Sequence, residues 1–317
     1  MEYRRIGNTG LKVSEIAYGS WLTFAHQVEL ENGKTIINRA FELGINYFDT
    51  ADAYNRGEAE VLLGEILHHY SRSRYIVASK AYWPMSDAPT DRGLSRKHIT
   101  DSVHASLARL RLSYLDIFYC HRYDPESPLS ETLEAINDLI RQGKILYWGT
   151  SEWTAEQINE ANRLCIEKGW SRPSINQPNY SLVKRNIEKE ILPACLENGM
   201  GTANFSPLAQ GILTGKYSGG TLPPGSRAAD ESLNSTMQNL ISDKELLSRV
   251  DRLAPIASQY DLTVGQLSLA WILQNPGISS LIVGASSVEQ LESNVKASGV
   301  KIEPGDMKKM DALFPLG

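Results

Sequence analysis

Short apolar runs alternate with longer amphipathic stretches along nearly the whole chain. Eight of these runs are typical of buried strands, and an apolar stripe of helical period follows each of them. The predicted strands are residues 15–18, 47–50, 75–79, 115–120, 145–150, 174–179, 201–205 and 280–283. The predicted helices are residues 34–42, 59–68, 95–110, 129–141, 154–167, 186–198, 264–274 and 288–297. Eight strand–helix units in strict alternation predict an α/β fold, a (β/α)8 TIM barrel.

Three segments fall outside this repeat. Residues 3–6 and 11–13 predict an N-terminal β-hairpin, and residues 307–313 predict a C-terminal extension with a helix. The stretch 211–243 is rich in Gly, Pro and Ser, and predicts a long loop after the seventh barrel strand, of the kind that often forms lids or binding loops. Since no linker with a shifted composition interrupts the chain, we expect residues 1–317 to form a single domain.

Composition excludes several classes of protein. The chain has 317 residues, 42% hydrophobic and 22% charged, which is typical of globular proteins and argues against disorder. A net charge of −5 argues against general nucleic-acid binding. Cys120, Cys165 and Cys195 form no C-x-x-C pair, which favours a reducing compartment. The first residues lack an apolar signal core, and no apolar run reaches membrane-spanning length, so we expect a cytoplasmic protein with no membrane insertion.

Four polar residues follow three consecutive predicted strands, where the active sites of such barrels lie. They are Asp49, Tyr54 in the next loop, Lys80 and His121. Each alone has a structural explanation, such as a helix cap or a solvated lysine. Together they suggest a proton donor: Lys80 would lower the pKa of the Tyr54 phenol, Asp49 would keep Lys80 charged, and His121 would hydrogen-bond a carbonyl oxygen.

Candidate ligand sites are of the phosphate type rather than the metal type. We expect no metal, since His68 and His69 are adjacent on a predicted helix and point in different directions. The chain lacks the G-x-G-x-x-G fingerprint. However, Gly284 leads from the last strand into a helix, and Lys216 and Arg227 follow the seventh strand. Such elements suit a phosphate-rich ligand; an ordinary helix cap and a solvated loop remain alternatives.

Several segments together resemble the aldo-keto reductase family. They are residues 44–51 with Tyr54, 57–60 with Gly64, and 92–98, 147–153, 206–209 and 284–286. The resemblance covers nearly the whole chain and is strongest to the branch that contains the potassium-channel beta subunits and their microbial and plant relatives. It implies an NADPH-dependent reductase of aldehydes and ketones, in which Asp49, Tyr54, Lys80 and His121 form the catalytic tetrad and Tyr54 is the general acid.

The resemblance also implies a binding site for NADPH/NADP+. By family position, Gln177 contacts the nicotinamide carboxamide, Phe205 stacks on the ring, and Arg227 lies near the 2′-phosphate. The full set of implied cofactor-binding residues is Ser20, Trp21, Gln27, Asp49, Ser151, Gln177, Phe205, Ser206, Pro207, Leu208, Ala209, Gln210, Gly211, Lys216, Arg227, Gly284, Ser286, Gln290 and Asn294. Ser293 stands where relatives often have Glu, and the channel subunits have Asn at the position of His121.

The sequence says less about the substrate, the function of the protein in its setting and the oligomeric state. Trp21, Tyr82 and Trp83, with Tyr54 and His121, predict an aromatic pocket for a small carbonyl substrate. The channel-subunit resemblance leaves a second function open, an NADP(H)-binding regulatory or redox-sensing subunit with little turnover. A lyase that uses Lys80 as a Schiff-base nucleophile is a weaker alternative, because Asp49 would keep this lysine charged. A homo-oligomer, a tetramer or larger, also remains open.

Overall fold

The computed structural model describes residues 1–21, 30–223 and 238–316. A short antiparallel hairpin precedes a closed barrel of eight parallel strands. The strands are β1 (Tyr3–Arg5), β2 (Lys12–Ser14), β3 (Ile16–Gly19), β4 (Tyr47–Asp49), β5 (Ile76–Ala81), β6 (Leu115–Cys120), β7 (Ile145–Ser151), β8 (Ile175–Gln177), β9 (Gly201–Phe205) and β10 (Ile278–Val283). Around the barrel they run in chain order from β3 to β10, and β10 pairs with β3. The predicted (β/α)8 fold with its N-terminal hairpin is confirmed.

Helices surround the barrel. They are α1 (Leu30–Glu42), α2 (Glu58–Leu67), α3 (Arg96–Leu110), α4 (Leu129–Arg141), α5 (Ala155–Lys168), α6 (Ile191–Glu197), α7 (Gln238–Ser242), α8 (Lys244–Asp251), α9 (Ala254–Gln259), α10 (Val264–Leu273), α11 (Val288–Val295) and α12 (Pro304–Leu313). Three of them, α7, α8 and α9, were not predicted. The predicted helix 186–198 is wrong in part, because a 3-10 turn, Asn186–Glu188, is separate from α6.

The barrel interior is a packed core. Alternate residues of the strands point inward, and Tyr47, Ile117, Tyr119 and Ile175 belong to one fully buried cluster. Ile6 of the hairpin region belongs to the same cluster, so the hairpin covers the end of the barrel at which the strands begin. Polar side chains therefore have access to solvent at the opposite end, where the strands finish.

Close backbone contacts fix the hairpin against the barrel. A Cβ atom on Gly7 would lie 2.2 Å from the carbonyl oxygen of Gly199, and Gly7 itself has a φ of +49°. Only glycine fits both conditions. Nearby, Arg4 donates to the carbonyl oxygens of Leu273 and Ile278, at 2.7 and 2.9 Å, and to the carboxylate of Glu15 at 2.6 Å. The first strand is thus joined to the last helix–strand connection.

Within the described ranges, no helix combines the length and the apolar character that a membrane crossing requires.

Candidate active site

Three of the four predicted residues form one hydrogen-bonded chain. Asp49 ends β4 and Lys80 lies near the end of β5. The ammonium of Lys80 donates to Asp49 Oδ2 at 2.6 Å, to the carbonyl of Thr50 at 2.8 Å and to the hydroxyl oxygen of Tyr54 at 3.1 Å. All three protons of the ammonium are therefore used. The Tyr54 oxygen acts as acceptor, and no residue in the described part of the chain accepts the proton of its hydroxyl.

The charges of the buried pair are set by these contacts. Burial alone would lower the pKa of Lys80, but Asp49 and Tyr54 outweigh it, and the pKa of Lys80 lies above its ordinary value. Burial raises the pKa of Asp49, and hydrogen bonds from Lys80 and from Gln177 Nε2, at 2.9 Å, oppose the rise. The raised pKa of Lys80 agrees with the expectation that Asp49 keeps this lysine charged.

The pKa of Tyr54 is shifted in the opposite direction to the one expected from the sequence. Burial of the phenol raises its pKa above the ordinary value, and the opposing effect of Lys80 is smaller. The expected net lowering is therefore wrong, because a sequence does not reveal how deeply the ring is buried. The phenol is protonated at neutral pH, and Lys80 lies where it stabilises the phenolate as the proton leaves.

The backbone that follows Tyr54 is unusual. Asn55 and Arg56 have φ of +46° and +52°, and Gly57 has φ of +92°. Left-handed conformations are uncommon for residues other than glycine and cost about 1 kcal/mol or more each. The strain is located directly after Tyr54, which is typical of a loop that holds a functional side chain in place.

His121 lies beside Tyr54. The two rings meet edge to face, with centroids 5.8 Å apart. Burial first, and then the positive charges of Lys80 and Arg122, lower the pKa of His121 well below its ordinary value, so the imidazole is neutral. Its Nδ1 atom is buried and has no hydrogen-bond partner among the described residues. A neutral imidazole carries one donor and one acceptor nitrogen.

A groove of about 1140 Å³ opens above these residues and extends past β9 and β10. It brings together most of the predicted site. The predicted residues that line it are Trp21, Asp49, Tyr54, Trp83, His121, Ser151, Gln177, Phe205, Ser206, Pro207, Leu208, Gln210, Gly211, Lys216, Gly284, Ser286, Gln290 and Asn294. Its size suits a dinucleotide together with a small substrate better than a small molecule alone.

Other predicted residues lie beside the groove or outside the described ranges. Lys80 and Ser20 are buried close to the groove residues, and Ala209 lies in the loop between Leu208 and Gln210. Tyr82 does not line the groove; its ring packs edge-on against Trp83, with centroids 5.1 Å apart. Gln27 and Arg227 lie outside the described residues.

The loop after β9 has the geometry of an anion site. Ser206, Ala209 and Gln210 have φ of +52°, +47° and +57°, and Gly211 has φ of +102°. Such left-handed residues turn backbone N–H groups into a concave surface that suits anions. Lys216 is exposed, and a Cβ atom on Gly211 would lie 3.4 Å from its Nζ. The residues present therefore fit a pyrophosphate.

The other end of the groove is formed by the start of α11. The Ser287 hydroxyl accepts from the backbone N–H of Gln290 at 3.4 Å, as the predicted cap requires. The carboxamide oxygen of Gln290 instead accepts from the backbone N–H of Ser286 at 3.0 Å. Ser287 followed by Gln290 is the sequence pattern of a reciprocal capping box, but only the half that Ser287 contributes forms. The Ser286 hydroxyl also donates to the same Gln290 oxygen at 3.3 Å, which joins two side chains that the family resemblance places, with Arg227, around a 2′-phosphate.

Unpaired polar atoms cluster at the end of the groove near Tyr54. The side-chain amide of Gln177 donates to Asp49 and lies at the same end of the groove. The hydroxyl oxygen of Ser20 and Nδ1 of His121 are buried without a hydrogen-bond partner among the residues that the structure describes. Buried polar atoms are normally paired. These atoms thus fit an amide and a carbonyl group of bound molecules.

Sequence reasoning missed Arg122. This residue lines the groove directly after His121, and its guanidinium lies 5.6 Å from the ring centroid of Trp83. Its position immediately after a strand-end candidate was a usable signal. An arginine at the end of a strand is usually solvated, so nothing in the pattern distinguished it.

Comparisons with known proteins agree with this geometry. The model of the Aldo/keto reductase family matches residues 15–314. A probable voltage-gated potassium channel subunit beta of Oryza sativa is 39% identical, covering 99% of this chain and 96% of that protein. A protein of the same description from Arabidopsis thaliana is 40% identical, covering 95% and 92%. A putative one from Schizosaccharomyces pombe is 39% identical, covering 98% and 93%.

The barrel, the groove at its carboxyl end and these matches lead to one conclusion: the chain belongs to the aldo/keto reductase family, whose members are NAD(P)H-dependent oxidoreductases.

Proposed function

We propose that this protein reduces aldehydes or ketones to alcohols with NADPH, and that Tyr54 is the general acid. The observation that carries the proposal is the bonding of the Tyr54 hydroxyl. Its oxygen accepts from a buried ammonium at 3.1 Å, and its proton is left for a ligand in the groove. A phenol held in this way is a proton donor whose conjugate base is already paired with a cation.

In the proposed reaction, NADPH held in the groove along Gln177 and the loop after β9 would supply the hydride for the carbonyl carbon. Tyr54 and His121 hydrogen-bond the carbonyl oxygen, where negative charge develops. Tyr54 transfers its proton to that oxygen, which completes the alcohol. Lys80 stabilises the resulting phenolate, and Asp49 holds Lys80 charged at 2.6 Å. The tyrosine regains its proton from solvent after the product leaves.

The preference for NADPH is a separate part of the proposal. It is supported by the concave loop at residues 206–211, the exposed Lys216 and the joined side chains of Ser286 and Gln290. Titration of the protein with NADPH and with NADH, followed by fluorescence, tests it. We expect NADPH to bind at least tenfold more tightly. Equal dissociation constants would contradict this preference without affecting the proposed role of Tyr54.

The proton donor is tested with Tyr54→Phe. The variant keeps the ring but loses the acidic proton, so we expect kcat for NADPH-dependent reduction of 4-nitrobenzaldehyde to fall by about 10²-fold or more. The dissociation constant of NADPH should change little. Tyr147→Phe is a matched control, because Tyr147 packs beside the barrel core away from the groove. Equal turnover of Tyr54→Phe and wild type would rule out this acid.

The names of the relatives favour a second candidate function. Three relatives at 39–40% identity are described as probable or putative potassium channel beta subunits. The protein would then bind NADP(H) as a regulatory or redox-sensing subunit with little turnover. Tight NADPH binding, with negligible reduction across a panel of aldehydes and ketones, is the result expected of that function. Turnover that depends on Tyr54 favours the reductase.

A further inference from the structure

Arg122 presents to the groove a positive charge that has no acidic partner in the described part of the chain. Its Nη1 donates to the carbonyl oxygen of His121 at 2.5 Å and lies 3.4 Å from the Ser151 hydroxyl. Its Nε and Nη2 atoms have no hydrogen-bond partner among the described residues. The guanidinium is half-buried and lies over the face of Trp83. A cation–π contact of this kind holds the guanidinium in place without neutralising its charge.

The other charged residues of the groove are either paired or lie at its phosphate end. Asp49 is neutralised by Lys80, and Lys216 and Glu289 belong to the loop after β9 and to α11, the proposed phosphate end. Arg122 forms no ion pair within the ranges that the structure describes. A half-buried guanidinium with two free donors is stabilised by an anion, and its planar fork matches a carboxylate.

The guanidinium is also close to the reacting atoms. The Trp83 ring beneath it lies 6.3 Å from the His121 ring, which in turn lies 5.8 Å from the Tyr54 ring. Its charge adds to the lowering of the pKa of His121 and opposes the rise in the pKa of Tyr54, which indicates that its field reaches both. A molecule whose carbonyl oxygen contacts Tyr54 would extend only a few atoms before it meets Arg122.

We propose that Arg122 binds a carboxylate of the substrate, so that the preferred substrates are aldehydes or ketones that carry a carboxylate a few atoms from the carbonyl. The inference rests on the proposed reductase function. A carboxylate is favoured over a phosphate because its single negative charge balances a single guanidinium and its two oxygens fit the fork. Trp83 has the role of a positioning residue beneath the guanidinium.

Two aldehydes of similar shape test the inference. The planar carboxylate of 4-carboxybenzaldehyde replaces the planar neutral nitro group of 4-nitrobenzaldehyde, so the ratio of their kcat/KM values isolates the charge. In Arg122→Gln we expect this ratio to fall at least tenfold relative to wild type, mainly through a higher KM for the carboxylate. Turnover of 4-nitrobenzaldehyde should change only a few-fold, and Arg122→Lys should restore part of the ratio.

Controls separate substrate binding from general damage. Arg141→Gln, on the exposed surface of α4, should leave the ratio unchanged. The NADPH dissociation constant of each Arg122 variant shows whether the neighbouring Ser151 has been disturbed. Equal losses for both aldehydes would overturn the inference, as would a stronger dependence on Arg122 for 4-formylphenyl phosphate than for the carboxylate.

A binding measurement keeps this test independent of turnover. The product analogue 4-(hydroxymethyl)benzoate should quench tryptophan fluorescence in the presence of NADP+, with a dissociation constant that rises at least tenfold in Arg122→Gln. If wild type reduces neither aldehyde but shows this arginine-dependent binding, the proposed reductase function fails while Arg122 remains an anion site. Binding that does not depend on Arg122 would overturn the inference alone.

Discussion

Behind Tyr54, two carboxyl groups are buried close to one guanidinium. Arg109 Nε pairs with Glu60 Oε2 at 2.6 Å, and Ser79 donates to the other oxygen of Glu60 at 2.5 Å. Asp52 is buried beside them, and its Oδ2 has no hydrogen-bond partner among the described residues. Burial, assisted by the nearby charge of Glu60, raises the pKa of Asp52 to about 8. Asp52 is therefore mostly protonated at neutral pH.

This pKa predicts an unusual dependence of stability on pH. The folded protein keeps the Asp52 proton up to about pH 8, whereas the unfolded chain releases it near pH 4. The contribution to stability is therefore complete below pH 4 and is lost as the pH rises to 8, at up to about 1.4 kcal/mol per pH unit. Asp52→Asn has no proton to lose, so its free energy of unfolding should exceed that of wild type at pH 8.5.

Urea unfolding at several pH values checks this. The advantage of Asp52→Asn should shrink steadily as the pH falls towards 4. The exposed Asp87→Asn serves as the matched control and should follow wild type throughout. A difference that does not vary with pH would show that Asp52 is ionised in the folded protein.

Single residues differ in how well the sequence predicted them. Asp49, Lys80 and His121 were found because the ends of neighbouring parallel strands must lie together. The pKa direction of Tyr54 was not, because it depends on burial by groups distant in sequence. Arg122 was missed for a related reason: its lack of an acidic partner among the described residues is visible only after folding. The roles assigned to these residues stay predictions until variants are measured.

At the scale of elements, the crossing of α2 and α3 holds the loop after Tyr54. A Cβ atom on Gly64 in α2 would lie 2.6 Å from the Cα atom of Leu110 in α3. The backbones are therefore in direct contact. The same pair of helices carries Glu60 and Arg109, whose ion pair lies behind the candidate active site. The spacing of the two helices thus supports the position of Tyr54.

We predict that Gly64→Ala is destabilising. Backbone atoms of Leu110 have no rotamer by which to move away, so the helices must separate, at a cost of about 1–3 kcal/mol. Thermal and urea unfolding measure the loss. The control is Gly305→Ala in α12, where a Cβ atom meets nothing within 4 Å and alanine should be neutral or slightly stabilising. Equal stability of the Gly64 variant and wild type would contradict this contact.

Helices and strands were predicted correctly where the sequence pattern within the element was long enough to identify it. The strands Leu115–Cys120 and Gly201–Phe205 and the helix Leu129–Arg141 have the predicted bounds. The unpredicted helices α7, α8 and α9 have 5, 8 and 6 residues. Helices of this length are not stable alone, and tertiary packing decides whether they form. Their apolar pattern over so few residues was too short to distinguish from that of a loop.

At the scale of the whole molecule, Arg4 connects the beginning of the chain to its last third. Its partner Glu15 also accepts from the Ser298 hydroxyl and from the Gly299 N–H. Removing the guanidinium would leave three carbonyl oxygens, those of Leu273, Asn275 and Ile278, and a buried carboxylate short of donors. We expect Arg4→Met to lower the free energy of unfolding by about 3 kcal/mol.

Denaturant unfolding monitored by circular dichroism tests this contribution. Arg5→Met is the natural control, since Arg5 is the next residue and is exposed. It should unfold like wild type within about 0.5 kcal/mol. Similar losses in the two variants would show that the effect comes from the hairpin surface and not from the bonds of Arg4.

The pairing of β10 with β3 has a consequence for synthesis of the protein on the ribosome. One partner, Ile16–Gly19, is made about 260 residues before the other, Ile278–Val283. At about 5–20 residues per second, the edge of β3 waits tens of seconds for its neighbour. Unpaired strand edges invite aggregation. Until β10 has emerged, this edge of β3 is therefore open to pairing with other strands.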